Sequence, residues 1–192
     1  MKLTKPQQKK LVSVLITLVV LLLGNYFIES PQIDSITKGS VDPGFYRVIE
    51  VSDGDTIVVD MNSTEERIRM IGVDTPEKNH PSKPVQCFAE AASKFTKNLI
   101  GDQAVRLEAD PTNSNRDRYD RLLRYVYLPD NRLVNAEIIK SGYGFAYTNF
   151  LFEKKEDFKN YQRDAEQNNL GLWGKCDVFE NKYGSPESPA TD

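Results

Sequence analysis

The chain has 192 residues, 25 of them basic and 28 acidic, for a formal net charge of −3. Lys2, Lys5, Lys9 and Lys10 precede an apolar run, so the part after that run carries 25 − 4 = 21 basic against 28 acidic residues, or −7. An acidic body does not gather polyanions by its field alone; any polyanion must be held by a local basic cluster or a bound cation, which excludes indiscriminate nucleic-acid coating.

The four lysines are followed by residues 11–23, apolar apart from Ser13 and Thr17. A basic stretch before a hydrophobic one is the form of an export signal. Two fates are open. A cleaved signal peptide wants a small-x-small site, and none follows the apolar run cleanly. An uncleaved anchor needs about 17–25 apolar residues to span a bilayer. Residues 11–28 meet that length, with Tyr26 and Phe27 at the outer interface and the lysines inside. The anchor is the preferred reading, and either fate leaves the rest outside the cytoplasm. Residues 29–44 read as a tether, residues 45–177 as one domain, and the polar, Pro-containing residues 178–192 as a disordered tail.

Within the domain, residues 45–51 (F-Y-R-V-I-E-V) are β-branched and aromatic, a strand. Strands over 56–61 and 66–73 follow, joined by Asn62-Ser63-Thr64; Ile57, Val59 and Met61 share one face, and Ile68 and Met70 another. Next comes I-G-V-D-T-P-E-K-N-H-P, residues 71–81. Asp74, Pro76 and Glu77 look like a helix start. Pro81 and Pro84 forbid the helix, so the two carboxylates sit at the mouth of a loop. A helix over 88–100 is stopped by Gly101. Strands over 104–109 and 122–128, helices over 133–140 and 152–168, and a closing L-G-L-W-G with Trp173 complete an α+β domain on a five-stranded barrel with three helices.

Cys87 and Cys176 are the only cysteines, too few for a zinc site unaided. In an oxidising compartment they make one disulfide; two buried free thiols are the alternative. Asp53-Gly54-Asp55, taken alone, is a hairpin turn. Pairing of strands two and three, however, brings Asp55 at the start of one to Asp74 at the end of the other. Carboxylates that close repel unless something positive lies between them, and oxygen ligands suit Ca²⁺ or Mg²⁺. His80, the only histidine, reads as a solvated loop residue. Arg69, and the run N-S-N-R-D-R-Y-D-R-L-L-R-Y at 113–125, are either exposed ion-paired residues or phosphate clamps, since guanidinium matches phosphate with two parallel hydrogen bonds.

D-G-D-T (53–56), R-M-I-G-V-D-T-P-E (69–77), R-Y-D-R-L-L-R-Y-V-Y (118–127), L-V-N (133–135) and G-L-W (171–173) together resemble the staphylococcal-nuclease (thermonuclease) family, from about residue 45 to 173. The resemblance implies an OB-fold barrel and calcium-dependent cleavage of DNA and RNA to 3′-phosphates. It makes Asp55, Asp74 and the Thr75 carbonyl calcium ligands, Glu77 the group that orients or deprotonates water, and Arg69 and Arg121 the phosphate clamp. Arg118 and Tyr119 would contact neighbouring phosphate or base, and Tyr147 would stack on the nucleotide. The partners implied are DNA and RNA, single-stranded or frayed, with the protein a monomer held to the membrane by its N-terminal segment. The family pattern has glycine before the second clamp arginine, and here it is Asp120, a residue that tolerates left-handed backbone. The rival reading is a non-catalytic OB-fold module binding nucleic acid or protein; a calcium-stabilised surface module is a third.

Overall fold

Phe45–Asp53 forms β1 and Thr56–Met61 forms β2, antiparallel, with two irregularities in register that let β1 bend. Asn62 and Ser63, both at positive φ, make the two-residue turn into β3, Thr64–Met70. The turn sets the register: Met61 lies opposite Thr64, Ile57 opposite Ile68, and Thr56 opposite Arg69. Ala104–Glu108 is β5 and Leu122–Tyr127 is β6. The order β1-β2-β3-β6-β5 closes into a barrel, with β3 and β6 parallel and Arg69 in register with Leu123.

This computed structural model describes Lys5, residues 42–78 and residues 84–191. The expected membrane segment, residues 1–28, lies outside the described residues apart from Lys5, as does His80. Among the described residues no helix is long and apolar enough to cross a membrane. Residues 41–192 form one compact unit.

Strand three is shorter than its composition predicts. It ends at Met70, and a separate strand β4, Val73–Asp74, pairs instead with β7, Phe145–Ala146. Gly72 breaks the run at φ +72°, where a Cβ would lie 2.6 Å from the Phe152 ring. The groups freed by the break find partners: Ile71 N–H donates to Arg124 O at 3.0 Å, and Tyr147 N–H to Gly72 O at 2.9 Å.

Three helices cover the barrel: α1 Ala89–Ile100, α2 Val134–Lys140 and α3 Lys155–Gln167, followed by a 3₁₀ turn at Gly171–Gly174. The third begins at Lys155, three residues later than residue 152; Phe152 instead packs its ring on Phe158. Ile57, Val59, Ile68, Met70, Val105 and Val126 fill the core with Ile138 and Ile139 from α2. Each stabilises by about 1.5–3 kcal/mol relative to exposure. Asn135 is fully buried and ties α2 to the barrel. It accepts from Val126 N–H at 2.9 Å and donates to Ile71 O at 2.9 Å.

Cys87 and Cys176 are joined in a disulfide. The disorder expected for residues 178–192 is not found in the described part, up to Thr191. Phe179–Glu180 (β8) and Pro186–Glu187 (β9) form a hairpin, and the chain then runs antiparallel to residues 85–87. Composition misjudges this tail because a covalent tether at Cys176 and an open backbone edge at residues 85–87 supply the partners its own side chains lack.

Candidate active site at the barrel rim

The rim cluster is built from three neighbouring chain ends. Asp55 enters β2 after the Gly54 turn, Arg69 closes β3, and Asp74 ends β4. Gly54 is required by packing, because a Cβ there would lie 2.8 Å from Thr75 Cγ2. Its carbonyl accepts a 2.6 Å hydrogen bond from Thr96 Oγ1, so α1 pins the turn from beneath.

Asp55 is buried, and both of its oxygens accept hydrogen bonds from the protein, with Oδ1 accepting one. Oδ1 accepts from Thr56 Oγ1 at 2.9 Å. Oδ2 accepts from Thr75 N–H at 2.9 Å and from Thr75 Oγ1 at 3.1 Å. Arg69 Nη2 lies 3.3 Å from Asp55 Oδ2 and 3.1 Å from Asp74 Oδ1, so one guanidinium edge bridges the two carboxylates. Its other nitrogen, Nη1, donates to the carbonyls of Met70 at 3.0 Å and Val73 at 2.6 Å, across the break between β3 and β4. The ion pairs of Arg69 are thus at the rim and not on an exposed face, and Glu66 takes Arg116 through two bonds of 2.9 Å.

Burial works against the charge on Arg69, but Asp55, then Asp74 and Glu77, outweigh it and raise the guanidinium above its ordinary pKa. Tyr147 adds a smaller contribution of the same sign, so it lies in the field of this cluster. Asp53 is pushed up to about 6, first by burial and then by repulsion from Asp55, with Glu77 adding to it. Asp53 thus feels Asp55 and Glu77, and Arg69 is a countercharge felt by Asp55, Asp74 and Glu77.

Glu77 follows Pro76 on the loop leaving β4. Its backbone is gripped at both ends by Gln86: Glu77 N–H donates to Gln86 Oε1 at 2.7 Å, and Gln86 N–H to Glu77 O at 3.0 Å. Nothing in the sequence marks this glutamine, which lies between an exposed valine and a cysteine. Its signal is visible only once the chain is folded.

Arg121 lies one residue before β6, the strand next to β3, and among the described residues its side chain bonds to Asp117 and not to the Arg69 cluster. Its Nε donates to Asp117 Oδ2 at 2.7 Å. Asp117 Oδ1 also accepts the N–H groups of Tyr119 and Arg121, so this aspartate organises the whole turn. Asp120 adopts φ +63°, the left-handed conformation expected where glycine would otherwise serve. Its carboxylate leans toward Arg116, at 3.6 Å, and not toward Arg121. Arg118 Nη2 donates to the Tyr119 hydroxyl at 2.7 Å, and both Arg118 and Arg121 lie over the Tyr119 ring, which is 65% exposed. The site residues therefore fall in two groups, Asp55, Arg69, Asp74, Thr75, Glu77 and Tyr147 around the end of β3 and the β4–β7 pair, and Arg118, Tyr119 and Arg121 in the turn that leads into β6, the barrel neighbour of β3.

A closed five-stranded barrel carrying three helices and a charged cluster at one rim defines an α+β protein of the OB-fold class. The family model described as "Staphylococcal nuclease homologue" matches residues 67–175. The chain belongs to the staphylococcal nuclease family. It is 34% identical over 163 residues to the thermonuclease of Staphylococcus hyicus, covering 83% of this chain and 94% of that protein. It is 39% identical over 132 residues to the thermonuclease of Staphylococcus intermedius, covering 67% and 75%. It is 34% identical over 134 residues to endonuclease YncB of Bacillus subtilis strain 168, covering 68% and 62%. Residues 178–192 fall outside the family match.

Proposed function

We propose that this chain is a nuclease that hydrolyses phosphodiester bonds of DNA and RNA, requires calcium and leaves 3′-phosphates. The observation that carries the reading is the Asp55–Arg69–Asp74 cluster at the rim of a staphylococcal-nuclease-family barrel. The donor set is oxygen only, which fits a hard cation. Asp55, Asp74 and the Thr75 carbonyl would hold Ca²⁺. Among the described residues no three His, Cys, Asp or Glu side chains gather for a metal, so main-chain and water oxygens would complete the shell. When bound, the ion neutralises the carboxylates and polarises a phosphate oxygen.

The chain's own residues supply the rest. Arg69, its Nη2 released from Asp55 and Asp74 once a cation holds them, would offer its Nη2 and Nε edge to a phosphate oxygen. Arg121, released from Asp117, adds a second guanidinium as charge grows in the transition state. Glu77, held by its backbone at the rim, accepts a proton from the attacking water. Exposed Tyr119 with Arg118 receives a neighbouring phosphate or base, and Tyr147 stacks on the nucleotide. Single-stranded or frayed polynucleotide is the expected substrate, as the family resemblance implies. The domain works outside the cytoplasm as a monomer, anchored by residues 1–28; the Cys87–Cys176 disulfide supports that compartment.

End-group analysis of a single-stranded DNA oligonucleotide cleaved by the purified chain tests the chemistry. Fragments with 3′-phosphate ends are expected; fragments with 3′-hydroxyl ends would overturn the assignment of attack and leaving oxygens.

A further inference from the structure

Gln86 is 7% exposed and uses every group it has. Toward the rim, its Oε1 and its backbone N–H hold the two backbone groups of Glu77. On the other side, its Nε2 donates to Glu187 Oε1 at 2.9 Å. Since Oε1 must face an N–H and Nε2 a carboxylate, the amide has one consistent orientation.

Glu187 belongs to the tail, and the tail is fixed along its length. Cys87 N–H donates to Pro189 O at 2.7 Å, and Thr191 N–H to Val85 O at 2.8 Å. Ser188, fully buried, donates from Oγ to Cys87 O at 2.8 Å. The hairpin before it is closed by Asn181, whose Nδ2 donates to Glu187 Oε2 at 3.1 Å. Its far side meets Asn149, two residues beyond Tyr147, through Ser185 Oγ at 3.2 Å. The disulfide at Cys87 ties the base of the same tail to the segment it lies against.

We infer that residues 178–191 are a strap that sets the position of Glu77 through Gln86, so that turnover depends on the C-terminal tail. Gln86 is a positioning residue: it holds both backbone groups of the residue that handles the water. Catalytic glutamates need placement to a fraction of an ångström, and a displacement of about 1 Å can cost about a hundredfold in rate. The inference rests on the nuclease reading for its effect on rate, and on geometry alone for the strap.

The test exchanges the two ends of one hydrogen bond in the full chain. Gln86→Glu sets a carboxylate against Glu187 and is expected to lower kcat on single-stranded DNA about a hundredfold, with KM and calcium affinity little changed. Adding Glu187→Gln restores the bond with the donor on the other side, and kcat should recover to within about fivefold. A chain ending at Asp177 should show the same loss of kcat. Wild-type kcat in Gln86→Glu, or no recovery in the double variant, would overturn the strap. Hydrogen exchange at the Glu77 and Cys87 amides separates this from failure of the nuclease reading. Both amides should be protected in the full chain and exchange faster when it ends at Asp177, whether or not DNA is cut; unchanged protection would overturn the strap by itself.

Discussion

Arg69 makes four directed contacts with two nitrogens, two to carbonyls of a broken strand and two to carboxylates. An ammonium on a flexible stem cannot reproduce that plane of donors. Arg69→Lys should lower kcat by about a hundredfold or more and destabilise by about 1–3 kcal/mol as the Met70 and Val73 carbonyls lose partners. Single-turnover cleavage and urea melts check the two effects. Asp120 offers the opposite case. It stands at φ +63°, with its side chain 88% exposed, so Asp120→Gly should stabilise by about 0.5–1 kcal/mol. A fall in thermal midpoint would show that the Arg116 contact outweighs the backbone strain. At this scale the sequence was legible in the meeting of Asp55 with Asp74 and in the left-handed backbone at Asp120; that Arg69 bridges the two carboxylates was not legible. Nor were the roles of Asp117 and Gln86, because each acts by holding another residue in a geometry that only the fold creates.

Strands and helices were legible where alternation or turn residues were strong, as at Ile57, Val59 and the Asn62-Ser63 turn. The break after Met70 was hidden within R-I-R-M-I-G-V, whose Ile68, Ile71 and Val73 favour a continuous strand; Gly72 was its signal. Asn135 shows what such patterning omits. A buried asparagine in an apolar helix looks like a flaw, yet it satisfies Val126 N–H and Ile71 O where α2 meets the strand break. Asn135→Leu, with the same branched outline, should destabilise by about 2–4 kcal/mol because two buried backbone groups lose their partner. Chemical denaturation with an unchanged m-value would check it; a cost under about 1 kcal/mol would mean that those groups find other partners.

Over the whole molecule, one buried carboxylate and one covalent link join distant parts. Asp110 is buried, which works against its charge. It accepts from Thr112, from the Tyr125 hydroxyl and from Glu153 N–H, and these bonds prevail and hold its pKa down to about 2, from 3.8. A depressed folded pKa means that the stabilisation is present above about pH 4 and lost as pH falls toward 2. The difference amounts to about 2 kcal/mol. Asp110→Asn should remove that part of the acid sensitivity, measured as unfolding free energy at pH 6 and at pH 2. The Cys87–Cys176 bridge spans 89 residues, and its reduction should cost about 4–5 kcal/mol in the chain-entropy model. The tail was the largest misreading from composition, since polarity describes what a segment can bury alone, not what a tethered segment can pair with.

The most direct measurement is degradation of single-stranded DNA by the purified chain, with calcium and with EGTA. Rapid cleavage in calcium and none in EGTA is expected if the Asp55–Arg69–Asp74 rim works as a calcium-assisted phosphodiester hydrolase. Equal cleavage under both conditions, or none in either, would contradict it.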